Sequence, residues 1–316
     1  MDRLDELALF LAILETGSLA AAGRRQGCSA PAVTRALAAL EARVGARLVE
    51  RTTRRLSPTE AGRGLADTAR RVLGDYDEAM REGNEAGPRG LLRVTAPLVF
   101  GRRHVTPLVT SFLAAYPAVR VDLLLSDRQL DLIEDGLDVA LRIGRLPDSG
   151  LVVLRVGQVR QVAVAAPAYL ARRGMPVRPD DLADHDVIAS APATAAYWAA
   201  GPRTEPVTWR FQTAGREHAI PLHPRLAVNE VEAKLEAVRA GHGIGQALSY
   251  QVVDDLAAGR LVRLLPDHER PPLPVHLVVP SARHLAAKAR AFLDHAAPRL
   301  RALDVLREPD GGAAGA

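Results

Sequence analysis

CSAPAVTRALAALEARVGARLVERTTRRLSPTEAG, residues 28–62, holds six arginines and no aromatic residue in a segment short enough to be one small folded unit. Val33, Leu37, Leu40 and Val44 fall at three- and four-residue steps and predict a helix with one apolar stripe. Ser29 stands at its N-cap, Pro31 lies in the first turn, where a missing amide does no harm, and Gly45 ends it. Ser29, Thr34, Arg35 and Ala38 are left on the other faces. Upstream, Leu4, Leu7, Phe10, Leu11 and Leu14 make an amphipathic helix ended by Thr16-Gly17. Ser18 then caps a short helix over Leu19 to Gln26, which Gly27 breaks. Two helices joined by a short glycine-containing turn, the second opening on small polar residues, are the helix-turn-helix arrangement. Downstream, Leu48-Val49 and Leu56 flank the basic tip Arg51-Thr52-Thr53-Arg54-Arg55, the pattern of a short hairpin or wing.

From Ser57 or Thr59 to about Glu85 a long helix is predicted. Leu65, Ala69, Val72, Tyr76, Ala79 and Gly83 alternate steps of four and three, a short heptad seam that suits dimerisation or packing on the same chain. Gly87-Pro88-Arg89-Gly90 reads as a hinge. Beyond it the pattern changes to strands alternating with helices. LLRVTA, VRVDLLL and LDVALRIG are β-branched runs separated by helical stretches around Pro107 to Ala115 and Gln129 to Glu134. VVLRVG and QVAVAA continue them, which predicts a parallel α/β sheet. Ala189 to Pro206 reads as irregular surface. RLAVN, a helix from Glu230 to Ala240, and IGQAL repeat the strand-helix-strand unit, and LVRLL, VHLVV and a helix from His284 to Leu303 close the fold. Residues 304–316 have the composition of a disordered tail.

The chain has 316 residues, 48% of them hydrophobic, enough for about two domains and a sizeable core. Its longest early apolar run, Leu7 to Leu14, is far short of the roughly 20 residues of a membrane span, and no leader pattern precedes it. One cysteine, Cys28, excludes an intramolecular disulfide, and a cytoplasmic location is expected. The formal charge is only +4, but Gly17 to Pro58 carries eight arginines against two glutamates, an excess of six in this segment alone.

The order of these parts resembles the LysR-type transcriptional regulators. Ser-x-Pro-Ala-Val-Thr-Arg, Leu-Glu-x-x-x-Gly, Arg-Thr-Thr-Arg and Thr-Glu-Ala-Gly carry the resemblance in the first part. LIEDGLDVALRIGRLPDSGL, APAYLARRG and AGHGIG carry it in the second. It implies an α/β chain with a winged helix-turn-helix over residues 1–58, a linker or dimerisation helix and hinge over 59–88, and a two-lobed, periplasmic-binding-protein-like effector domain over 89–303. It further implies a dimer or tetramer that binds double-stranded promoter DNA, with RNA polymerase as a further partner, and a small-molecule effector in the C-terminal domain.

A recognition helix presents its N-terminal residues to base edges, while surrounding donors hold phosphates. Arg35 is placed for a bidentate bond to guanine, and Ser29, Pro31 and Thr34 share its early turns. Arg51, Arg54 and Arg55 at the wing tip suit backbone or minor-groove contact, and a solvated basic face is the plain alternative. Arg43 and Arg47 are expected to offset the helix dipole or pair with Glu41 and Glu50. In open α/β sheets ligands sit beyond strand ends near helix N-termini. That rule selects Thr95, Pro97, Leu98 and Phe100 after the first strand, Arg128 after the second and Arg142 after the third. From the other lobe it selects Ser190, Thr194, Asn229, Gly245 and Gln246. The arginines, helix amides and hydroxyls together suit an anionic ligand such as a carboxylate. Arg142 pairing with Asp138 or Asp148, and hydroxyls that merely cap, are the structural alternatives. Tyr197 or Trp198 reads as an anchor for a loose loop.

Cys28 reads as structural filler. The nine histidines show no metal spacing, and Gly241-His242-Gly243-Ile244-Gly245 lacks nucleotide-loop spacing. No GxSxG elbow or Walker loop occurs, so no catalytic residue, metal or cofactor is expected. An architectural DNA-binding protein without a ligand, and a DNA-tethered α/β enzyme, are the competing classes.

Overall fold

The computed structural model describes residues 2–51, 56–81, 87–128, 130–146, 151–191, 206–280 and 285–307. Helix α1 (Arg3–Thr16) opens on a reciprocal cap in which the Asp5 amide donates to Asp2 and the Asp2 amide to Asp5. It is followed by α2 (Leu19–Arg25) and α3 (Ala30–Val44). Leu9, Phe10, Ile13, Ala22, Val33, Leu40 and Leu48 form their common core. Gly23 makes the tight turn possible, because a Cβ there would lie 2.7 Å from the Cys28 carbonyl oxygen. Val44, at the end of the apolar stripe read from the sequence, is exposed. Strands β1 (Val49–Arg51) and β2 (Leu56–Pro58) pair antiparallel with Arg51 opposite Leu56, forming the wing.

Helix α4 (Glu60–Arg81) begins where the Thr59 hydroxyl accepts the Gly62 amide at 2.9 Å and donates to the Arg47 carbonyl at 2.7 Å. Along the heptad seam Ala69 is buried and Leu65 half-buried within the same chain, whereas Val72 and Tyr76 face outward. The side chain of Ala79, and Gly83, lie outside the described residues.

The first lobe is a five-stranded sheet in the order β4-β3-β5-β14-β6. Its strands are β3 (Gly90–Ala96), β4 (Val119–Leu125), β5 (Val139–Ile143), β6 (Val152–Val159) and β14 (Leu273–Val279). A short α5 (Leu98–Phe100), a π-helical turn (Gly101–Val105) and α6 (Thr106–Ala115) follow β3. Together with α10 (Ala287–Arg301) they supply the aromatic core, where Phe112 meets Phe292 edge-on at 5.2 Å and Phe100 meets Tyr250 at 5.1 Å.

The second lobe is a sheet in the order β11-β8-β12-β7-β13. It comprises β7 (Gln161–Ala165), β8 (Val187–Ser190), β11 (Pro224–Val228), β12 (Ile244–Leu248) and β13 (Val262–Leu264). Helix α7 (Pro167–Arg173) follows β7, and α8 (Val231–Arg239) and α9 (Ser249–Ala257) flank β12 in sequence. The hairpin β9 (Val207–Thr213) and β10 (Arg216–Leu222) buries Trp209, Phe211, Ile220 and Leu222 against this lobe.

Three expectations are corrected. The sheets are mixed and not all parallel: β3 pairs parallel with β4 and β5, but β14 runs antiparallel to both β5 and β6. The chain crosses into the second lobe at Arg160 and returns along β14, so the returning strand enters the first sheet from the opposite direction. The segment over 130–134 is not a helix: the Asp131 carboxylate accepts the Ile133 and Glu134 amides at 2.8 and 2.9 Å, closing a turn that competes with helix. Ala189 and Ser190 belong to β8 and are not irregular surface; residues 192–205 lie outside the described residues. The β9–β10 hairpin went unread because its turn puts Ala214 at φ 50°, a conformation usually signalled by Asn, Asp or Gly. Among the described residues no helix is long and apolar enough to cross a membrane.

Candidate functional site

The N-terminal arginines separate into paired and unpaired sets. Arg25 is held by Glu15 at 2.7 Å and Arg43 by Glu6 at 2.7 Å. Arg43 therefore does not pair with Glu41, as the sequence alone suggested. Glu41 accepts the Leu48 and Val49 amides at 2.8 and 3.3 Å and so fastens the end of α3 to the wing. Arg35 is exposed on α3, and among the described residues no carboxylate lies within ion-pair reach of it or of exposed Arg24 and Arg47. Ser29 takes the N-cap backbone position but its hydroxyl makes no cap bond, contrary to the capping role expected from the sequence. Pro31 and Thr34 are exposed on the same early turns, and the Thr34 hydroxyl donates to the Ala30 carbonyl at 3.1 Å. Arg51 lies on β1; its side chain, and Arg54 and Arg55, fall outside the described residues. Cys28 packs half-buried against the helical core, its thiol donating to the Gln26 carbonyl.

In the C-terminal part the structure disperses most of the lobe-one residues selected from sequence. The Thr95 hydroxyl is buried and donates to the Leu124 carbonyl at 2.9 Å. Pro97 precedes α5, and the Leu98 amide already has an anion, donating to the Asp127 carboxylate at 3.0 Å. Phe100 is fully buried in the aromatic core. Arg128 is exposed and its amide donates to Ser126. Arg142 reaches sideways to the Leu130 carbonyl, within the field of Asp131 and Asp135, and burial lowers its pKa. Its alternative partner Asp138 instead accepts the Arg93 amide at 2.7 Å. Asn229 is exposed just ahead of α8, and Thr194, Tyr197 and Trp198 lie outside the described residues.

Two residues from the second lobe do meet. Ser190 and Gln246 line a cavity of about 220 Å³ with Gln161, Thr208, Trp209 and Lys234. Gly245 is adjacent but buried, its α-carbon against Val238. Lys234, 5% exposed, donates from Nζ to Ser190 Oγ at 2.9 Å and to the Gln246 carbonyl at 2.6 Å. Burial pulls its pKa down to about 8 against the opposing fields of Asp127 and Glu230. Gln161 donates to Gln246 Oε1 at 3.2 Å. The lobes are further linked by charge: Arg102 and Arg103, on the π-helical turn, reach Glu232 of α8 at 3.3 and 3.8 Å.

Lys234 was not singled out from sequence, yet a signal existed. Only two of the chain's 41 lysine and arginine residues are lysines, Lys234 and Lys288, and both are buried. A position that keeps a compact ammonium in a chain otherwise committed to guanidinium selects for what arginine lacks: small size and a titratable proton. Among the described residues no cluster could hold a metal ion.

Residues 4–63 match the family model for the bacterial regulatory helix-turn-helix protein, lysR family, and residues 85–301 the LysR substrate binding domain. The chain is 34% identical to the HTH-type transcriptional regulator PtxR of Pseudomonas aeruginosa, spanning 92% of this chain and 91% of that one. It is 33% identical to the probable HTH-type transcriptional regulator LtrA of Klebsiella pneumoniae over 96% and 97% of the two chains. In structure it is similar to CrgA, a LysR-type transcriptional regulator from Neisseria meningitidis, with a TM-score of 0.57, 29% identity, and coverage of 93% of this chain and 98% of that one. A full-length AphB variant gives a TM-score of 0.62 at 25% identity, over 96% and 99% of the chains.

Proposed function

Because this chain belongs to the LysR family of transcriptional regulators, which join a helix-turn-helix DNA-binding domain to an effector-binding domain, we propose that it reads a partly palindromic promoter site as a homodimer or homotetramer. In this reading residues 1–58 bind DNA, 59–88 join the protomers and 89–303 sense the effector; the expected tail does not begin at 304, because Asp304–Leu306 form a helical turn that buries Leu306 in the first-lobe core. The protein acts in the cytoplasm, has no turnover of its own, and passes the signal to RNA polymerase. A small anionic molecule in the C-terminal cleft changes its grip on DNA.

The observation that carries the DNA-binding face is the unpaired Arg35 beside exposed Ser29, Pro31 and Thr34, on a domain whose Arg25 and Arg43 are neutralised by carboxylates. A free guanidinium in the second turn of α3 suits guanine O6 and N7, while Arg51, Arg54 and Arg55 suit the phosphate backbone. Arg35→Ala is expected to relax preference at one base pair and to weaken specific binding by about 1–3 kcal/mol, whereas Arg54→Ala weakens all sequences alike and flattens the salt slope. Footprinting and salt titration on one promoter series separate the two, and an unchanged Arg35→Ala footprint would remove α3 as the reading helix.

For the effector, the support is a polar cavity whose lining, among the described residues, carries one cation, Lys234. A thermal-shift screen of the full chain against small carboxylates, aromatic acids, amino acids and sugar acids is the test. A ligand that binds only the folded form, at about a hundred times its dissociation constant, adds roughly 2.7 kcal/mol. Lys234→Met abolishes that shift; a shift that survives the substitution moves the effector elsewhere.

A further inference from the structure

Arginine's planar fork offers an anion two parallel N–H bonds and holds it at least as well as an ammonium does. A chain with only two lysines among 41 basic residues therefore has no need of lysine merely to attract negative charge. What an amine alone can do is lose a proton and form a bond to carbon. The surroundings of Lys234 prepare it for that step.

Lys234 lies in the first turns of α8, whose Leu235 and Val238 share one buried core with Val164 and Ile188, so the helix is fixed over the strands. Its Nζ reaches the Ser190 hydroxyl at the end of β8 and the Gln246 carbonyl on β12. Both acceptors are neutral, and among the described residues no carboxylate lies within ion-pair reach of the nitrogen. A buried charge held only by neutral groups is costly, and release of one proton relieves the cost. The pKa of about 8 follows from that burial, and it raises the fraction of free amine at neutral pH by roughly two orders of magnitude over an ordinary lysine.

Geometry decides which proton leaves. The N–H bonds to Ser190 and Gln246 are kept, so the lone pair appears along the remaining direction of the tetrahedral nitrogen. Lys234, Ser190 and Gln246 all belong to the wall of the cavity of about 220 Å³, together with Gln161, Thr208 and Trp209. A small molecule in that space stands next to the amine.

We propose that Lys234 binds the effector covalently and reversibly, as an imine formed with the carbonyl carbon of a small oxo acid. This rests on the reading of the cavity as the effector site and adds a bond to it. The neutral Nζ attacks the carbonyl carbon, the π pair moves to oxygen, and one hydrogen passes from nitrogen to that oxygen to give a carbinolamine. The hydroxyl then leaves as water with the second N–H hydrogen while the C=N bond forms. No oxidant or reductant is needed, and water reverses the step. Ser190, its hydroxyl 2.9 Å from Nζ, is placed to relay the hydrogen. The imine, once protonated, keeps a positive charge beside the carboxylate of the acid, and the side chains of Thr208 and Gln246 add polar contacts around it.

The scarcity of lysine makes the test clean. Full-length protein is incubated with glyoxylate, pyruvate or 2-oxobutyrate, reduced with borohydride so that any imine becomes a stable secondary amine, and mapped by mass spectrometry. Buried Lys288 and the α-amino terminus are the internal references; the latter titrates near the same pH and so controls for basicity. The expected result is that at least one oxo acid marks Lys234 at least tenfold faster than either reference, and that the reduced adduct raises the thermal transition. Ser190→Ala slows the marking, and Lys234→Arg, which keeps the charge, removes it while the references label as before. Labelling of Lys234 no faster than the α-amino terminus, by all three acids, overturns the covalent inference from the wild-type protein alone. Glycolate, lactate and 2-hydroxybutyrate then separate the two readings. If one of them raises the thermal transition and Lys234→Met cancels the effect, the anion-binding cavity stands without the bond; if no acid of either kind raises it, the effector-site reading fails as well.

Discussion

Gly62→Ala abolishes DNA binding while leaving the regulatory lobes folded. Helix α4 crosses the wing so closely that a Cβ at Gly62 would lie 2.0 Å from the Leu48 carbonyl oxygen and 3.0 Å from its carbon. The obstacle is backbone, so no rotamer change relieves it, and the same carbonyl accepts the Thr59 amide at 3.1 Å. Either the helix lifts off the wing or Leu48, fully buried in the domain core, is displaced. Overpacking at a site that can relax costs about 1–3 kcal/mol, and one pressed on main chain belongs at or above the upper end. A unit of roughly 60 residues has only about 5 kcal/mol in hand, so the loss leaves a large fraction of it unfolded or distorted. Scanning calorimetry should show an early transition shifted down by ten degrees or so beside an unmoved later one. Wild-type promoter affinity in Gly62→Ala would mean that the approach of α4 to the wing is not as described.

Asp255→Ala is the most destabilising single change expected in the regulatory part. Asp255 sits on α9, 4% exposed, with its oxygens held by Arg239 of α8 at 2.9 Å and by Arg260 at 2.7 Å. Removing the carboxylate leaves the Arg239 charge facing Glu232 and Glu236 alone, on a side chain that is itself largely buried. Breaking one partner of such a pair costs about 3–5 kcal/mol, most of it the burden of the charge left behind. Burial by itself would raise the Asp255 pKa, but the hydrogen bonds and charges of Arg239 and Arg260 outweigh it and hold the carboxyl below the ordinary value. The sign follows: the unfolded chain binds this proton more readily, so the stabilisation is complete above the ordinary aspartate value of about 3.9 and is lost as pH falls through the depressed folded one. Urea midpoints between about pH 5 and 2 should fall more steeply for the wild type than for Asp255→Asn. Parallel slopes would show that the carboxylate is not held as described.

The motifs that carried the family resemblance have identifiable mechanical duties. Glu41 ties α3 to the wing through two amides, Thr59 caps α4, and Gly62 permits the close crossing. Each acts on neighbours within about twenty positions, which is why the helix-turn-helix and its long following helix were legible in order. The hairpin over 207–222 was not legible, because an alanine occupies a left-handed turn position that gives no chemical warning. The helix expected over 129–134 failed for the converse reason: Asp131 captures two amides of its own segment, a local competition that hydrophobic spacing does not register.

The amino-acid sequence by itself determined the class of molecule, the order of its parts and the exposed polar face of α3, since these depend on periodicity, caps and short-range spacing. Only the tertiary structure decided which charges are free to act. Arg43 is neutralised by Glu6 from 37 positions away, and Arg142 turns aside to a loop carbonyl. Thr95 and Phe100 are absorbed into the first lobe, and Lys234, 44 positions from Ser190, becomes a cation of the cavity. A charge is defined functionally by what surrounds it in space. In a fold whose chain crosses between lobes twice, those surroundings come from strands and helices far apart in sequence, and no local pattern records them.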